Sequence, residues 1–178
     1  GVVTKPFSFE GAQRTRIADM GLVDLKKAVD AAIVIPNDRL LNIVQKETTF
    51  LSAFAMCDEV LRQAVQGITD IITVPGIINV DFADVKAVMQ NTGSALMGVG
   101  FAKGEKRAQE AARLAISSPL LDISIDGAKG VLFAIAGGPD MTMLEIQEAA
   151  AIITDSIDKD AKVIFGAVQD EKLQKGEI

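Results

Sequence analysis

The pattern of apolar and polar residues in the first part of the chain predicts strands that alternate with helices. The β-branched apolar runs at residues 2–4 and 33–35 are typical of buried strands. Between them, apolar positions at helical spacing predict one helix beginning near Gly11 and a second over residues 23–31. Residues 37–44, NDRLLNIV, are expected to form a further helix that is capped by the preceding turn.

The longest apolar pattern covers residues 51–73 and predicts a helix that is buried on two sides. Apolar residues recur every three or four positions, as at Phe54, Cys57 and Leu61, and a second apolar set flanks this face. The Val-Pro-Gly sequence at residues 74–76 ends the pattern. We expect a helix of this kind to be a spine between two subdomains.

The remainder of the chain is predicted to add three strands with helices between them. The predicted strands cover residues 94–101, 130–136 and 161–168. The predicted helices cover residues 82–90, 104–116 and 142–156, the last with a capping box formed by Thr142 and Glu145. The fold class is therefore predicted to be α/β.

The composition excludes several kinds of site. The chain has no His and one Cys, so neither a Ser-His-Asp triad nor a tetrahedral Cys/His zinc site is available within it. The net charge is −6 and basic residues are not clustered, which argues against a nucleic-acid partner. No apolar run reaches the roughly 20 residues that a membrane-spanning helix needs, so we expect no direct membrane insertion.

The glycine-containing stretch at residues 98–105, GVGFAKGE, is interpreted as a plain turn between a strand and a helix. Its glycine spacing is one residue longer than the dinucleotide-binding fingerprint. No acidic residue follows about 20 positions later at the end of a second strand, as that fingerprint requires.

Five polar or aromatic side chains are candidates for binding a nucleotide, and each also has a structural interpretation. Glu10 offers acceptors for sugar hydroxyls and Arg14 a planar fork for phosphate, or the two form an i,i+4 ion pair. Asp58 suits the paired N–H groups of guanine, with Phe54 one turn earlier as a stacking surface, and Asn37 offers a donor and an acceptor. The alternatives are an exposed charge, a core aromatic residue and a helix cap.

The loop at residues 76–85, GIINVDFADV, is the strongest functional candidate. Asp81 and Asp84 are three positions apart and face the same way on a helix, and Asn79 lies beside them. The set is suited to orient a water molecule for phosphoryl transfer. Asp81 as a helix cap and Asp84 as a partner of the helix dipole are equally good interpretations of the sequence.

Five segments occur together in an order and spacing that resemble a known family. They are VVTKPFSFEG, IPNDRLL, DEVLRQAVQGI, the GxxNxDxxD loop at residues 76–84, and ISSPLLD. The chain resembles the tubulin-like GTPases of bacterial cell division, the FtsZ family, over essentially its whole length. The resemblance implies the C-terminal part of a nucleotide-binding domain at residues 1–47, a central helix at 48–75 and a C-terminal α/β domain at 76–178.

The resemblance also implies a mechanism and partners. Subunits of this family stack head to tail, and the loop after the central helix enters the nucleotide pocket of the next subunit. Asp81 and Asp84 then correspond to catalytic carboxylates, with Asn79 beside them. The implied cofactors are GTP or GDP with Mg²⁺, and the implied location is the cytoplasm at the division site. Further cell-division proteins are expected to bind through a tail that these residues do not include.

The same resemblance assigns roles to the five candidates for nucleotide binding. Glu10 matches a ribose contact, Arg14 a phosphate-side contact and Asp58 the position that reads guanine. Phe54 is expected to pack near the base, and Asn37 matches a base-side position. No dedicated metal site is implied.

The sequence departs from the family pattern because the glycine-rich phosphate loop GGGTGTG is absent. We therefore expect the chain to be a fragment that alone binds GTP poorly and hydrolyses none. We also expect exposed strand edges within residues 1–47 to pair with another chain. The alternative functions are a non-catalytic polymer-interface fragment that caps or regulates filaments, and an unrelated metabolite-binding domain.

Overall fold

A computed structural model describes residues 1–41, 48–118, 121 and 124–178. Its alternating strands and helices confirm the predicted α/β class. The described residues divide into two compact units. The first contains residues 1–41, 48–68, 89–97 and 121, and the second contains residues 69–88, 98–118 and 124–178. The domain boundaries inferred from the sequence remain a prediction.

The first unit contains a three-stranded parallel sheet in the order β1-β2-β3. Its strands are β1 (Val2–Lys5), β2 (Ala31–Pro36) and β3 (Gly93–Ala95). The central strand β2 is mostly buried and its sequence, AAIVIP, is continuously apolar, as expected for a strand covered on both faces. The two strands predicted in this region are confirmed.

The helices of the first unit are α1 (Ala12–Ala28), α2 (Asn37–Leu40) and most of α3 (Phe50–Thr73). The prediction of two helices over the α1 region was wrong. A single helix continues unbroken through Gly21, where a Cβ would have open space, with nothing within 4 Å of it. The predicted helix at 37–44 is confirmed at its start, and its last three residues lie outside the described residues.

The core of the first unit forms between the sheet and α3. Its buried members are Phe7, Ile33, Ile35, Leu40, Cys57, Val60 and Ala64. Cys57 is 4% exposed and its thiol donates to the Ala53 carbonyl, so it packs as a small buried residue.

The second unit contains the parallel pair β4 (Gly130–Gly137) and β5 (Lys162–Gln169). Its helices are α4 (Phe82–Met89), α5 (Arg107–Ile116) and α6 (Met143–Asp155). The capping box of α6 is confirmed: Thr142 accepts from the Glu145 amide at 3.3 Å, and Glu145 accepts from the Thr142 amide at 2.8 Å. Within the described residues, no helix combines the length and apolar character needed to cross a membrane.

The strand predicted at residues 94–101 was wrong beyond residue 95. The chain leaves the first unit's sheet there, and its next residues pack their backbone on α5 in the second unit. A Cβ at Gly98 would lie 1.9 Å from the Ala115 carbonyl oxygen, and one at Gly100 would lie 1.8 Å from that of Ala111. Glycine is needed at both positions because the helix backbone occupies the space of a side chain.

A buried arginine joins α5, α6 and the last described turn. The predicted helix at 104–116 begins only at Arg107, whose side chain is 4% exposed. Its guanidinium donates to Glu145 at 2.6 and 3.0 Å and to Asp140 at 3.1 Å. Asp140 also accepts from the Gly176 amide, at 3.0 Å, so one cluster of charges fixes three segments together.

Candidate functional site

The loop after α3 is attached to β5 through one residue of that strand. The amides of Ile77 and Ile78 both donate to the Ala167 carbonyl, at 2.7 and 3.1 Å. The Ala167 amide donates back to the Ile78 carbonyl at 3.1 Å. The loop therefore has a fixed register on the second unit's sheet.

Within the loop, the Asn79 side chain closes a short ring. Its amide oxygen accepts from the Gly76 backbone amide at 2.7 Å. A Cβ at Gly76 would lie 2.5 Å from the Ala167 carbonyl oxygen, so the loop approaches β5 more closely at this point than any side chain would permit.

Asp81 immediately precedes α4, and its capping role is confirmed. Its Oδ1 accepts from the Asp84 amide at 2.8 Å, which satisfies one of the free donors in the first turn. Val80 and Val85, on either side of the cap, are each 4% exposed and anchor the start of the helix.

The two carboxylates themselves are directed to solvent. Asp81 and Asp84 are both exposed, and within the described residues the Asp84 carboxylate forms no hydrogen bond or ion pair. Phe82, between the two acids in sequence, is 66% exposed, and Ile77 earlier in the loop is 64% exposed. Exposed carboxylates held by a fixed backbone are suited to orient water at a neighbouring surface.

In the first unit, Glu10 is bonded through both of its carboxylate oxygens. Oε1 accepts from the Phe7 amide at 2.9 Å, and Oε2 pairs with Arg14 at 2.8 Å. The i,i+4 ion pair anticipated from the sequence is therefore present. Arg14 remains 70% exposed, so most of its guanidinium faces solvent.

Four phenylalanines form a connected group beside Glu10. Phe7 stacks on Phe9 with ring centroids 4.9 Å apart and meets Phe54 edge-on at 5.4 Å. Phe50 lies 4.7 Å from Phe54 and 6.2 Å from Phe9. Phe9 and Phe50 are 60% and 68% exposed, so the group has an open aromatic face.

Asn37 is buried, and the oxygen of its side chain has no hydrogen-bond partner among the described residues. An unpaired buried acceptor costs about 1–3 kcal/mol. Its neighbour Asp38 accepts from the Ser8 amide at 2.9 Å, which joins the turn after β2 to the segment that carries Glu10.

Asp58 is exposed on α3, one turn after Phe54. The pKa of the adjacent Cys57 thiol is raised, first by burial and then by the negative charges of Asp58 and Glu10. Phe7, whose amide donates to Glu10, packs edge-on against Phe54, and these contacts place Glu10 near this turn of α3. The structure thus brings Glu10, Phe54 and Asp58 together in the first unit, with Arg14 held by Glu10.

Comparison with known proteins identifies the chain's relatives. A model of the C-terminal domain of the FtsZ family matches residues 93–178. A structure described as an empty FtsZ dimer, from M. jannaschii, superposes on 99% of this chain with 46% sequence identity and a TM-score of 0.92. The chain belongs to the FtsZ family.

Two further structures are similar to the chain. A tryptophan-to-tyrosine mutant of the M. jannaschii FtsZ matches 99% of the chain with 46% identity and a TM-score of 0.92. CetZ1 from Haloferax volcanii, described as a GDP-bound monomer, matches 99% with 19% identity and a TM-score of 0.71, and shares the fold. The chain spans about half the length of these structures, 51% for the FtsZ dimer and 52% for the other two.

FtsZ and its tubulin-like relatives form a family of cytoskeletal GTPases of cell division. The sequence did not predict that Phe7, Phe9 and Phe50 form one aromatic group with Phe54, nor that Ala167 is the attachment point of the acidic loop. The aromatic group had a detectable signal, because four of the eight phenylalanines lie in the segments that carry Glu10 and Asp58. The Ala167 contact had none, because it joins positions about 90 residues apart.

Proposed function

We propose that this chain is part of a self-assembling GTPase of the bacterial division ring. In a head-to-tail filament, Asp81 and Asp84 promote the hydrolysis of GTP that is held by the adjacent subunit. The observation that carries this proposal is the pair of exposed carboxylates at the fixed start of α4, on a loop attached to β5.

The five candidates in the first unit are proposed to hold the guanine nucleotide. The unpaired oxygen of Asn37 suits a donor on the base, and Asp58 suits the paired N–H groups of guanine. Phe54 supplies an aromatic face next to Asp58. Glu10 accepts from the ribose, and Arg14 turns its exposed fork to phosphate.

Mg²⁺ is proposed to arrive with the nucleotide phosphates. Among the described residues, no three acidic or thiol side chains gather to hold a metal ion. The phosphate loop GGGTGTG is not in these 178 residues. The isolated chain is therefore expected to bind GTP poorly and to hydrolyse none, and micromolar GTP binding measured by calorimetry would contradict this.

A chimera tests the catalytic role of the loop. In it, this chain replaces the segment of the M. jannaschii FtsZ that it matches. We expect Asp81→Asn and Asp84→Asn each to lower kcat by roughly 10²-fold or more, with the Kd for GTP unchanged. Asn also caps helices, so Asp81→Asn removes the charge and keeps the cap. Asp155→Asn, which changes an exposed carboxylate of the same unit, is the matched control.

Mixing two chimeras tests whether the acids act on the adjacent subunit. One carries Asp81→Asn with Asp84→Asn, and the other carries Asp58→Ala, which disables nucleotide binding. If the acids act across the contact, the mixture regains hydrolysis that neither variant shows alone. A mixture that stays as inactive as its parts, or a double Asn variant that hydrolyses GTP within about threefold of the parent, refutes the proposal.

A non-catalytic role at the polymer interface is favoured by one observation. Ile77, in the loop, and Phe82, between the two acids in sequence, expose large apolar side chains, which suits contact with another subunit. On this alternative, the added chain inhibits assembly of the M. jannaschii FtsZ even when Asp81 and Asp84 are replaced. The further division partners and the location at the division site stay predictions.

A further inference from the structure

We infer that Asn79 is a positioning residue that acts together with Gly76 and Ala167, and that its amide takes no direct part in the reaction. This inference rests on the proposed function of the loop. The sequence placed Asn79 among the catalytic groups, beside the two carboxylates. In the structure its side-chain oxygen is used within the loop, where it accepts from the Gly76 amide at 2.7 Å.

The ring closed by Asn79 fixes the part of the loop that contacts β5. Between its ends, Ile77 and Ile78 both donate to the Ala167 carbonyl. Gly76 lies so close to the same oxygen that a Cβ would approach to 2.5 Å, well inside van der Waals contact. The Asn79 side chain and the Ala167 carbonyl therefore both hold residues 76–79 in place. We name residues 76–79 together with Ala167 the loop clamp.

The loop clamp is connected to the acids through a single residue. Val80 follows Asn79, is 4% exposed and packs at Gly166, where a Cβ would lie 3.4 Å from its Cγ2. Asp81 comes next and caps α4. A change in the clamp is therefore passed directly to the start of α4, where a displacement of about 1 Å is enough to lower a rate by roughly 10²-fold.

The test uses the chimera described above and compares two replacements of Asn79. Asn79→Ala removes the acceptor, and we expect kcat for GTP hydrolysis to fall by roughly 10- to 100-fold with the Kd for GTP within about twofold. Asn79→Asp keeps an acceptor oxygen and loses the amide donors. If Asn79 acts by position, Asn79→Asp retains kcat within about fivefold of the parent.

A double-mutant comparison separates a shared role from two independent roles. Gly76→Ala pushes the loop away from Ala167 and is expected to lower kcat as Asn79→Ala does. Because both changes open one clamp, the double variant is expected to be no slower than the slower single variant, within about threefold. Gly67→Ala is the control, since nothing lies within 4 Å of a Cβ there.

Hydrogen exchange provides a readout that does not depend on hydrolysis. In Asn79→Ala we expect the amides of Gly76, Ile77 and Ile78 to exchange roughly 5- to 10-fold faster, while Asn79→Asp leaves them protected. If Asn79→Asp is as slow in hydrolysis as Asn79→Ala, while exchange in Asn79→Ala is unchanged, Asn79 acts directly and the inference is wrong.

The two proposals fail in different ways. If the Asp81 and Asp84 variants keep full hydrolysis, the proposed function is wrong, while the exchange measurements still decide whether the loop clamp exists. If those variants are inactive but the effects of Gly76→Ala and Asn79→Ala multiply fully in the double variant, the shared clamp is wrong and the catalytic role of the acids stands.

Discussion

Replacing Glu145 by Gln isolates the electrostatic part of the buried Arg107 cluster. Gln retains an oxygen that accepts from the Thr142 amide, so the capping box of α6 can still form. The charge opposite Arg107 is lost, and the guanidinium keeps only Asp140 as its charged partner. Arg107 is 4% exposed and Glu145 is 16% exposed, so water does little to replace the lost interaction between the two charges.

The size of the effect follows from the pKa of Glu145. In the folded chain this pKa falls from 4.5 to about 2, mainly because Glu145 accepts hydrogen bonds from Arg107. This difference corresponds to about 3 kcal/mol of stability, which is fully present above pH 4.5 and is lost as the pH falls towards 2. The loss expected for removing one member of a buried ion pair is of the same order, about 3–5 kcal/mol.

Urea unfolding of this chain at a series of pH values tests the prediction. At pH 7 we expect Glu145→Gln to lower the free energy of unfolding by about 3 kcal/mol, and at pH 3 by about 1 kcal/mol. Glu110→Gln, on the exposed side of α5, is the control and is expected to change it by less than about 0.5 kcal/mol. A deficit that is the same at pH 7 and pH 3 would refute the electrostatic reasoning.

Three further substitutions have expected outcomes. Gly100→Ala places a methyl group 1.8 Å from the Ala111 carbonyl and is expected to lower stability by about 2–3 kcal/mol or more in urea unfolding. Asp81→Ala is expected to cost about 1 kcal/mol in the same assay, and Asp81→Ser much less, because Ser keeps the cap. Asn37→Leu removes the unpaired buried oxygen, so stability is expected to stay within about 1 kcal/mol. The same change should abolish GDP binding by the chimera in calorimetry.

The elements that the sequence predicted well are those specified by local periodicity. The 24 residues of α3 form the predicted long helix, and the capping box of α6 lies within four consecutive residues. The expected burial of α3 on two sides was wrong, since Phe50 and Val65 are 68% and 55% exposed. The strand prediction for residues 94–101 was wrong for a different reason. Gly98 and Gly100 look like ordinary strand residues until the carbonyls of α5 are placed against them.

Site residues divide in the same way. The Asp81 cap and the Glu10–Arg14 ion pair join positions three or four residues apart, so spacing alone was sufficient to anticipate them. The buried state of Arg107 depends on Asp140 and Glu145, which are 33 and 38 residues away. No local pattern distinguishes such an arginine from an exposed one.

The structural and functional interpretations of these residues are compatible because the structural roles are energetically small. Glu10 keeps its bond from the Phe7 amide when Arg14, which is 70% exposed, leaves it, so opening this i,i+4 pair costs about 0.5 kcal/mol. A charge-assisted bond between Arg14 and a phosphate returns more than that. Asp81 uses one oxygen as a cap and does not need its charge for that role, since Ser and Asn cap equally well. The capping role therefore does not account for the negative charge of Asp81, and the proposed catalysis depends on that charge.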